Sequence, residues 1–346
     1  MSSDFSTRVI RWQKVHGRNG LPWQDTRDAY RIWLSEIMLQ QTQVATVIPY
    51  YERFLARFPD VGTLAAAPVD DVLALWSGLG YYARARNLHR AAGEVVARFG
   101  GAFPTVFDQL VTLPGIGRST AGAIAAFAGA EQRAILDGNV RRVLARHAGI
   151  DGAPTSAATL GRLWAEAEAR LPLEGIEAYT QGMMDLGSDV CALRRPACLV
   201  CPVAADCIAR REDRVDELPG RRSRGPVRRK RIAMLVVIAR GEVLLEKRPP
   251  TGIWGGLWSL PEAEAGSDPA RAASLWGLEA ASVQALAPFE HAFTHYTLEV
   301  EPWRVEVGRQ DTIAADRPAT WMPLADLAGA ALPSPVRKLL RSISAA

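Results

Sequence analysis

All four cysteines of this 346-residue chain fall inside seventeen residues, Cys191, Cys198, Cys201 and Cys207, spaced C-x6-C-x2-C-x5-C. Thiols with unrelated structural jobs scatter along a chain; four in one short segment share a task. The Cys198–Cys201 step brings two sulfurs to one side of a turn, the way a tetrahedral metal or a cluster is grasped. Pro196 and Pro202 flank the step and break helix, which favours a loop there. Four thiolates hold either a structural zinc or an iron–sulfur cluster, and spacing alone does not separate the two. The N-terminus carries Asp4, Arg8 and Arg11 with no apolar segment behind them, and no apolar run is long enough to span a membrane. A cytoplasmic, reducing setting is therefore expected, where disulfides do not persist.

The chain is long enough for two domains, and 48% hydrophobic against 23% charged residues excludes a disordered or fibrous protein. Of 41 basic residues only Lys14, Lys230, Lys247 and Lys338 are lysine, so the net charge of +4 is nearly all arginine. Arginine offers phosphate a planar fork, although genome composition explains such a bias equally well.

Leu113-Pro114-Gly115-Ile116-Gly117-Arg118-Ser119 opens a small-residue helical run from Thr120 to Ala128. Two glycines permit a tight turn, and the helix start behind it points free amides at an anion. The alternative is an ordinary helix–turn–helix corner. Asp137 follows three apolar residues and precedes Gly138, a partly buried loop position or a plain N-cap. Upstream, Tyr30, Trp33, Leu34, Ile37 and Met38 recur at helical spacing, and Glu36 sits among them. A carboxyl so placed has a raised pKa and serves as a proton donor; a surface glutamate paired with Arg31 or Arg53 is the competing reading.

From Ile208 to Arg231 ten basic residues appear without apolar periodicity, an interdomain linker centred on 213–230. Beyond it, Ile232 to Ala239 is β-branched, Arg240-Gly241 makes a turn, Glu242 to Lys247 returns, and Thr297 to Val307 alternates. The fold class expected is multidomain, all-α followed by α+β.

Taken in order, the hairpin, the aspartate and the cysteine loop resemble the helix-hairpin-helix superfamily of DNA repair glycosylases. The segment L-S-E-I-M-L-Q-Q-T-Q from Leu34 to Gln43 is similar to that of its MutY-type adenine glycosylases. The resemblance implies a helix-hairpin-helix domain over 1–212, with a six-helix module at about 23–130 and a cluster module from the N-terminus and 131–212. It implies a Nudix-like domain over 231–346 that recognises 8-oxoguanine. The acidic helix of Nudix hydrolases is absent from its sequence, so it is expected to read rather than hydrolyse. Under the same resemblance the four cysteines hold one 4Fe-4S cluster, and Arg194 and Arg195 between them face DNA phosphate. Glu36 becomes the acid that protonates adenine, and Asp137 the stabiliser of an oxocarbenium-like sugar. Ser119 stands where endonuclease III-like relatives carry the lysine that cleaves the strand, so no strong lyase activity is expected.

Gln41 and Tyr81 match the residues that fill the stack behind a flipped base, and Trp23, Asn139 and Gln181 match pocket positions. Glutamate occupies the Gln181 site in some relatives. Gly115, Gly117 and Arg118 match phosphate contacts, and Phe293-Thr294-His295 matches the loop that reads the oxidised base. For Tyr81 and Trp23, core packing is the plain alternative. The implied partner is duplex DNA with adenine opposite 8-oxoguanine or guanine, bound by a monomer. Rival readings are an endonuclease III-like lyase, opposed by Ser119 and Glu36, and a non-catalytic DNA-binding protein, which has no need of Glu36 and Asp137 together with Gln41 and Tyr81. A third is a Nudix hydrolase with an added domain, which the missing acidic helix disfavours.

Overall fold

The computed structural model describes residues 2–129, 131–220, 227–293, 296–308 and 318–344. Two compact units emerge, residues 1–66 with 87–223, and residues 67–86 with 224–346. Helices come first: α1 (Ser2–His16), α2 (Ala29–Leu39), α3 (Val44–Arg57), α4 (Val61–Ala66), α5 (Val69–Trp76), α6 (Ala83–Phe99) and α7 (Phe107–Leu110). After them run α8 (Arg118–Phe127), α9 (Gly138–His147), α10 (Ala157–Ala169), α11 (Ile176–Asp185) and α12 (Ile208–Arg211).

The first unit is wholly helical among the described residues. Asp28 caps α2 by accepting from the Tyr30 amide at 2.9 Å, and the apolar run then buries Trp33, Leu34 and Met38 completely. The Tyr30 hydroxyl donates to the Phe58 carbonyl at 2.7 Å, fixing the rotation of α2 about its axis. Small residues let the segment leading to Asp137 lie close on α8: Ala121, Gly122 and Ala123 are buried, and a β-carbon on Gly122 would meet the Ala134 carbonyl oxygen at 2.7 Å. Phe5, Val9, Leu136, Val140, Leu144 and Met183 form the core that joins α1, α9 and α11.

The second unit holds a mixed sheet. Its strands are β1 (Arg228–Ala239), β2 (Glu242–Lys247), β3 (Trp258–Ser259), β4 (Glu262–Glu264), β5 (Ala280–Ala285), β6 (Phe289–Ala292), β7 (Tyr296–Val307) and β8 (Ala319–Pro323). Helices α13 (Pro269–Ser274) and α14 (Ser334–Ser344) accompany them, and α5, within residues 67–86, belongs to the same unit. The sheet order is β3-β2-β1-β7-β5, with β4 on β1, β6 on β7 and β8 on β2. Only β1 and β7 run parallel among the described strands. Arg240 and Gly241 both have positive φ, 50° and 81°, the primed two-residue turn whose twist suits a hairpin. Burial alternates along most of β7, as its sequence pattern requires, and α13 covers the sheet through Ala272 and Ala273.

The basic segment between the units is held at both ends. Val215 and Leu218 carbonyls accept from Arg146 Nε at 3.0 and 2.8 Å, and Gly220 lies against the Gly152 backbone. At the far end, β1 already begins at Arg228.

Candidate active site

A cleft of about 1410 Å³ opens in the helical unit, and Trp23, Glu36, Gln41, Asp137, Asn139 and Gln181 all line it. Six residues named from separate stretches of sequence thus share one wall-to-wall space. Glu36 projects from α2, half-buried, and no donor among the described residues reaches it. Burial pushes its carboxyl up from 4.5 to about 8, and the Asp137 charge adds to the rise. The surface alternative for Glu36 does not hold: Arg31 pairs with Asp28 at 3.6 Å, and Arg53 stacks over Tyr50 at 4.5 Å.

Asp137 caps α9, accepting from the Val140 amide at 2.7 Å. It is therefore an N-cap and a cleft residue at once. Burial raises its pKa, while the Val140 and Asn139 amides and the Arg142 and Arg141 charges pull it back. Two desolvated carboxyls facing one cleft do not ionise independently. The helix amides and arginines favour charge on Asp137, and nothing comparable favours it on Glu36, so the proton belongs on Glu36. A neutral acid opposite a carboxylate is the pair that can protonate a leaving group and stabilise a cation.

The Ser119 hydroxyl accepts from the Leu136 amide at 2.9 Å, tying the hairpin to the segment that presents Asp137. Of the two hairpin glycines, only Gly115 needs its freedom. It has φ +79°, and a β-carbon there would lie 2.8 Å from Asn87 Cβ; Gly117 is extended at φ −87° and ψ 172°. No side chain caps α8, which leaves its first amides without a side-chain acceptor. Arg118 differs from expectation in being engaged within the protein: it lies over the Trp164 ring at 3.8 Å and pairs with Glu168.

Gln41 and Tyr81 both hold left-handed backbone, φ 57° and 49°, which side chains of this kind rarely adopt. Tyr81 is 49% exposed, so core packing does not explain it. Trp23 meets both readings: it is 7% exposed, packs edge-on against Tyr51 and still lines the cleft. In the second unit Phe293 stacks on Tyr296 at 4.7 Å, and its amide donates to the Tyr296 carbonyl. Thr294 and His295 lie outside the described residues.

The four cysteines are half-buried on a loop that leaves α11 through a π-turn over Leu186–Val190, with a 3-10 turn over Cys198–Val200. Burial pushes the Cys201 thiol up to about 11, and Cys191, Cys207 and Cys198 each add to it. The described residues contain no group of three or more His, Cys, Asp or Glu placed as ligands of a single ion. The donor set itself is four neighbouring thiols with cations beside them. Arg146, 2% exposed, donates to Cys191 Sγ at 3.4 Å and to the Ala192 carbonyl at 2.8 Å, and Arg142 donates to the Cys191 carbonyl at 2.7 Å. Arg194 and Arg195 are exposed.

Sequence reasoning missed these two clamping arginines, and also Arg18 at the cleft and the buried Asp185 that holds it. Arg142 and Arg146 share a face of α9 at i and i+4, and Gln181 and Asp185 do so on α11; that spacing was the available signal.

Two family descriptions match the chain: the HhH-GPD superfamily of base excision DNA repair proteins over residues 34–168, and the NUDIX domain over 233–342. The adenine DNA glycosylase of Buchnera aphidicola from Schizaphis graminum is 34% identical over 97% of this chain and 97% of its own. The adenine DNA glycosylase of Mus musculus is 33% identical over 97% of this chain and 77% of its own. Among solved structures, a thermostable thymine-DNA glycosylase superposes with TM-score 0.56 at 26% identity, covering 61% of this chain and 97% of its own. A non-covalent endonuclease III–DNA complex shares the fold at TM-score 0.51 and 19% identity, covering 62% and 98%. With a helix-hairpin-helix unit, a Nudix-like unit and full-length relatives of this kind, the chain belongs to the adenine DNA glycosylase family, enzymes that hydrolyse N-glycosyl bonds in DNA.

Proposed function

We propose that the protein removes adenine mispaired with 8-oxoguanine or guanine from duplex DNA, without strong lyase activity. The observation that carries the reading is that Glu36, a carboxyl without a donor among the described residues and pushed up to about 8 by burial, lines the same cleft as Asp137. An adenine swung out of the stack enters the cleft, and Glu36 donates its proton to N7. The C1′–N9 bond then breaks, its electron pair leaves with the base, and Asp137 stabilises the positive sugar until water adds and passes its spare proton to the carboxylate left on Glu36. Water completes a hydrolysis and the strand stays intact, because Ser119 offers no amine to form a Schiff base. Asn139 and Gln181 border the base, while Gln41 and Tyr81 are assigned to the gap it leaves.

Gly115, Gly117 and the uncapped start of α8 are assigned to a phosphate; Arg118 joins them only by leaving Trp164 and Glu168. Phe293, with Thr294 and His295, is assigned to the oxidised guanine. Cys191, Cys198, Cys201 and Cys207 would hold one 4Fe-4S cluster, whose part is to staple the loop and order its arginines rather than to react. Among the described residues no helix is long and apolar enough to cross a membrane.

The test is a duplex with one 8-oxoguanine–adenine pair, followed with and without alkali. Breaks appearing only after alkali are expected. No breaks, or breaks without alkali, overturn the reading.

A further inference from the structure

Asp185 ends α11 and is fully buried beneath the cleft wall, yet it is not among the residues that line the cleft. Its carboxylate accepts the Arg18 amide at 2.9 Å, Arg18 Nε at 2.7 Å and the Gln181 Nε2 at 2.7 Å. The chain before Arg18 is pressed onto it, since a β-carbon on Gly17 would stand 2.9 Å from Asp185 Oδ2. Arg18 and Gln181 themselves face the cleft, together with Glu36 and Asp137.

A glutamine amide has a donor end and an acceptor end, and an unrestrained one turns over to suit its partner. An ionised carboxylate can only accept. Against Asp185, Gln181 must therefore commit its NH2 group, and the end left for the cleft is Oε1. No donor among the described residues occupies that oxygen. An acceptor in the cleft favours a base that brings an exocyclic amino group to it, and opposes one that brings a carbonyl there, because two acceptors then face each other unpaired.

We propose that Asp185 is a positioning residue that locks Gln181 as a hydrogen-bond acceptor toward the extruded base, and so helps the cleft select an aminopurine. The proposal rests on the adenine reading of the cleft and deepens it. Arg18 contributes by pairing with the Asp185 carboxylate, at 2.6 Å through its terminal nitrogen.

The experiment measures single-turnover excision by the full-length protein from three duplexes, with adenine, hypoxanthine or unsubstituted purine opposite 8-oxoguanine. These bases carry an amino group, a carbonyl or hydrogen at position 6. Intrinsic differences in leaving ability cancel when each variant is compared with the parent on the same base. In D185N the amide at 181 is free to turn over. The adenine-to-hypoxanthine rate ratio should fall by about tenfold or more, the scale of one misdirected hydrogen bond in a closed site, while purine changes least.

The double variant Q181E/D185N restores a side chain at 181 that can only accept, held by an amide that can donate to it. It should regain most of the parental ratio. A uniform loss on all three bases in D185N, with no recovery in the double variant, shows that Asp185 merely supports packing and overturns the proposal. Should D185N fail to fold, Q181M in the parent background decides: a collapsed adenine-to-hypoxanthine ratio supports an acceptor at 181, and an unchanged ratio refutes the proposal. A parent protein that does not excise adenine at all would instead sink the adenine reading, a separate and recognisable failure.

Discussion

Glu36→Gln separates the chemistry of the cleft from its stability, because the same proton controls both. In the folded protein Glu36 keeps its proton to about pH 8, whereas an unfolded chain releases it near 4.5. A carboxyl with a raised folded-state pKa favours folding fully below pH 4.5, and that contribution is lost as pH rises toward 8. By pH 7 the unfolded chain has gained about two and a half pH units of ionisation free energy, worth about 3 kcal/mol at 1.36 kcal/mol each. Glutamine has the same shape and no such titration. The helical unit of E36Q should therefore match the parent near pH 4.5, gain about 3 kcal/mol over it by pH 7, and hold a constant lead above pH 8. Urea denaturation of both proteins across this range, read by helical circular dichroism, measures the gap. The second readout is excision in preformed complexes. The parent rate should decline with one proton's dependence above about pH 8, and E36Q should lose about 100-fold or more while still binding DNA, the usual worth of a general acid. A flat stability gap from pH 5 to 8, or excision by E36Q within a few-fold of the parent, would refute the assignment.

Other substitutions test the supports of that chemistry. Gly115→Ala should weaken DNA binding and cost about 1–2 kcal/mol, since φ is +79° and the new β-carbon would lie 2.8 Å from Asn87 Cβ; affinity for an abasic-site duplex measures it. Gly187→Ala places a β-carbon 2.5 Å from Asn139 Cβ and should depress excision with little change in helix content. Ser119→Lys supplies an amine beside Leu136 and Asp137, and borohydride should then trap a protein–DNA adduct that the parent does not give. Cys198→Ser should remove the visible absorption of an iron–sulfur cluster and lower DNA affinity; an unchanged spectrum refutes the cluster assignment.

Those parts of the fold that obey local rules were legible in the chain. The apolar spacing of Tyr30 to Met38 gave α2, and the Arg240-Gly241 turn between β-branched runs gave the first hairpin. For Glu36 the apolar spacing left a buried acid and a surface glutamate equally open, and only the placement of Arg31 and Arg53 on other partners separates them. Long-range placement was not legible. Nothing in the sequence near Arg118 says that its guanidinium will settle on Trp164, some forty-six residues away, rather than stay free for phosphate. Asp185 escaped notice for a related reason: its partner Arg18 comes from the other end of the helical unit, and a lone aspartate at a helix end reads as solvated. Gly117 was credited with the same freedom as Gly115, yet its backbone is extended, which any residue adopts.

One helix links the two features that were easiest to find. Asp137 caps the start of α9, and Arg142 and Arg146 leave its later turns to bind the loop of Cys191 through its carbonyls and sulfur. Arg142 also holds the Asn139 side chain at 2.9 Å and the Gly187 carbonyl. An arginine this buried tolerates its surroundings only while carbonyl oxygens satisfy it, and those of Arg146 come from residues 191–193, 215 and 218. If the cysteine loop loosened, Arg146 would lose acceptors it cannot replace from solvent, and α9 would have to shift or fray to reach water. Its N-cap is the carboxylate that faces the cleft. The cysteine loop and the cleft carboxylate therefore share one ten-residue helix as a common frame, so the order of that loop bears on where Asp137 stands.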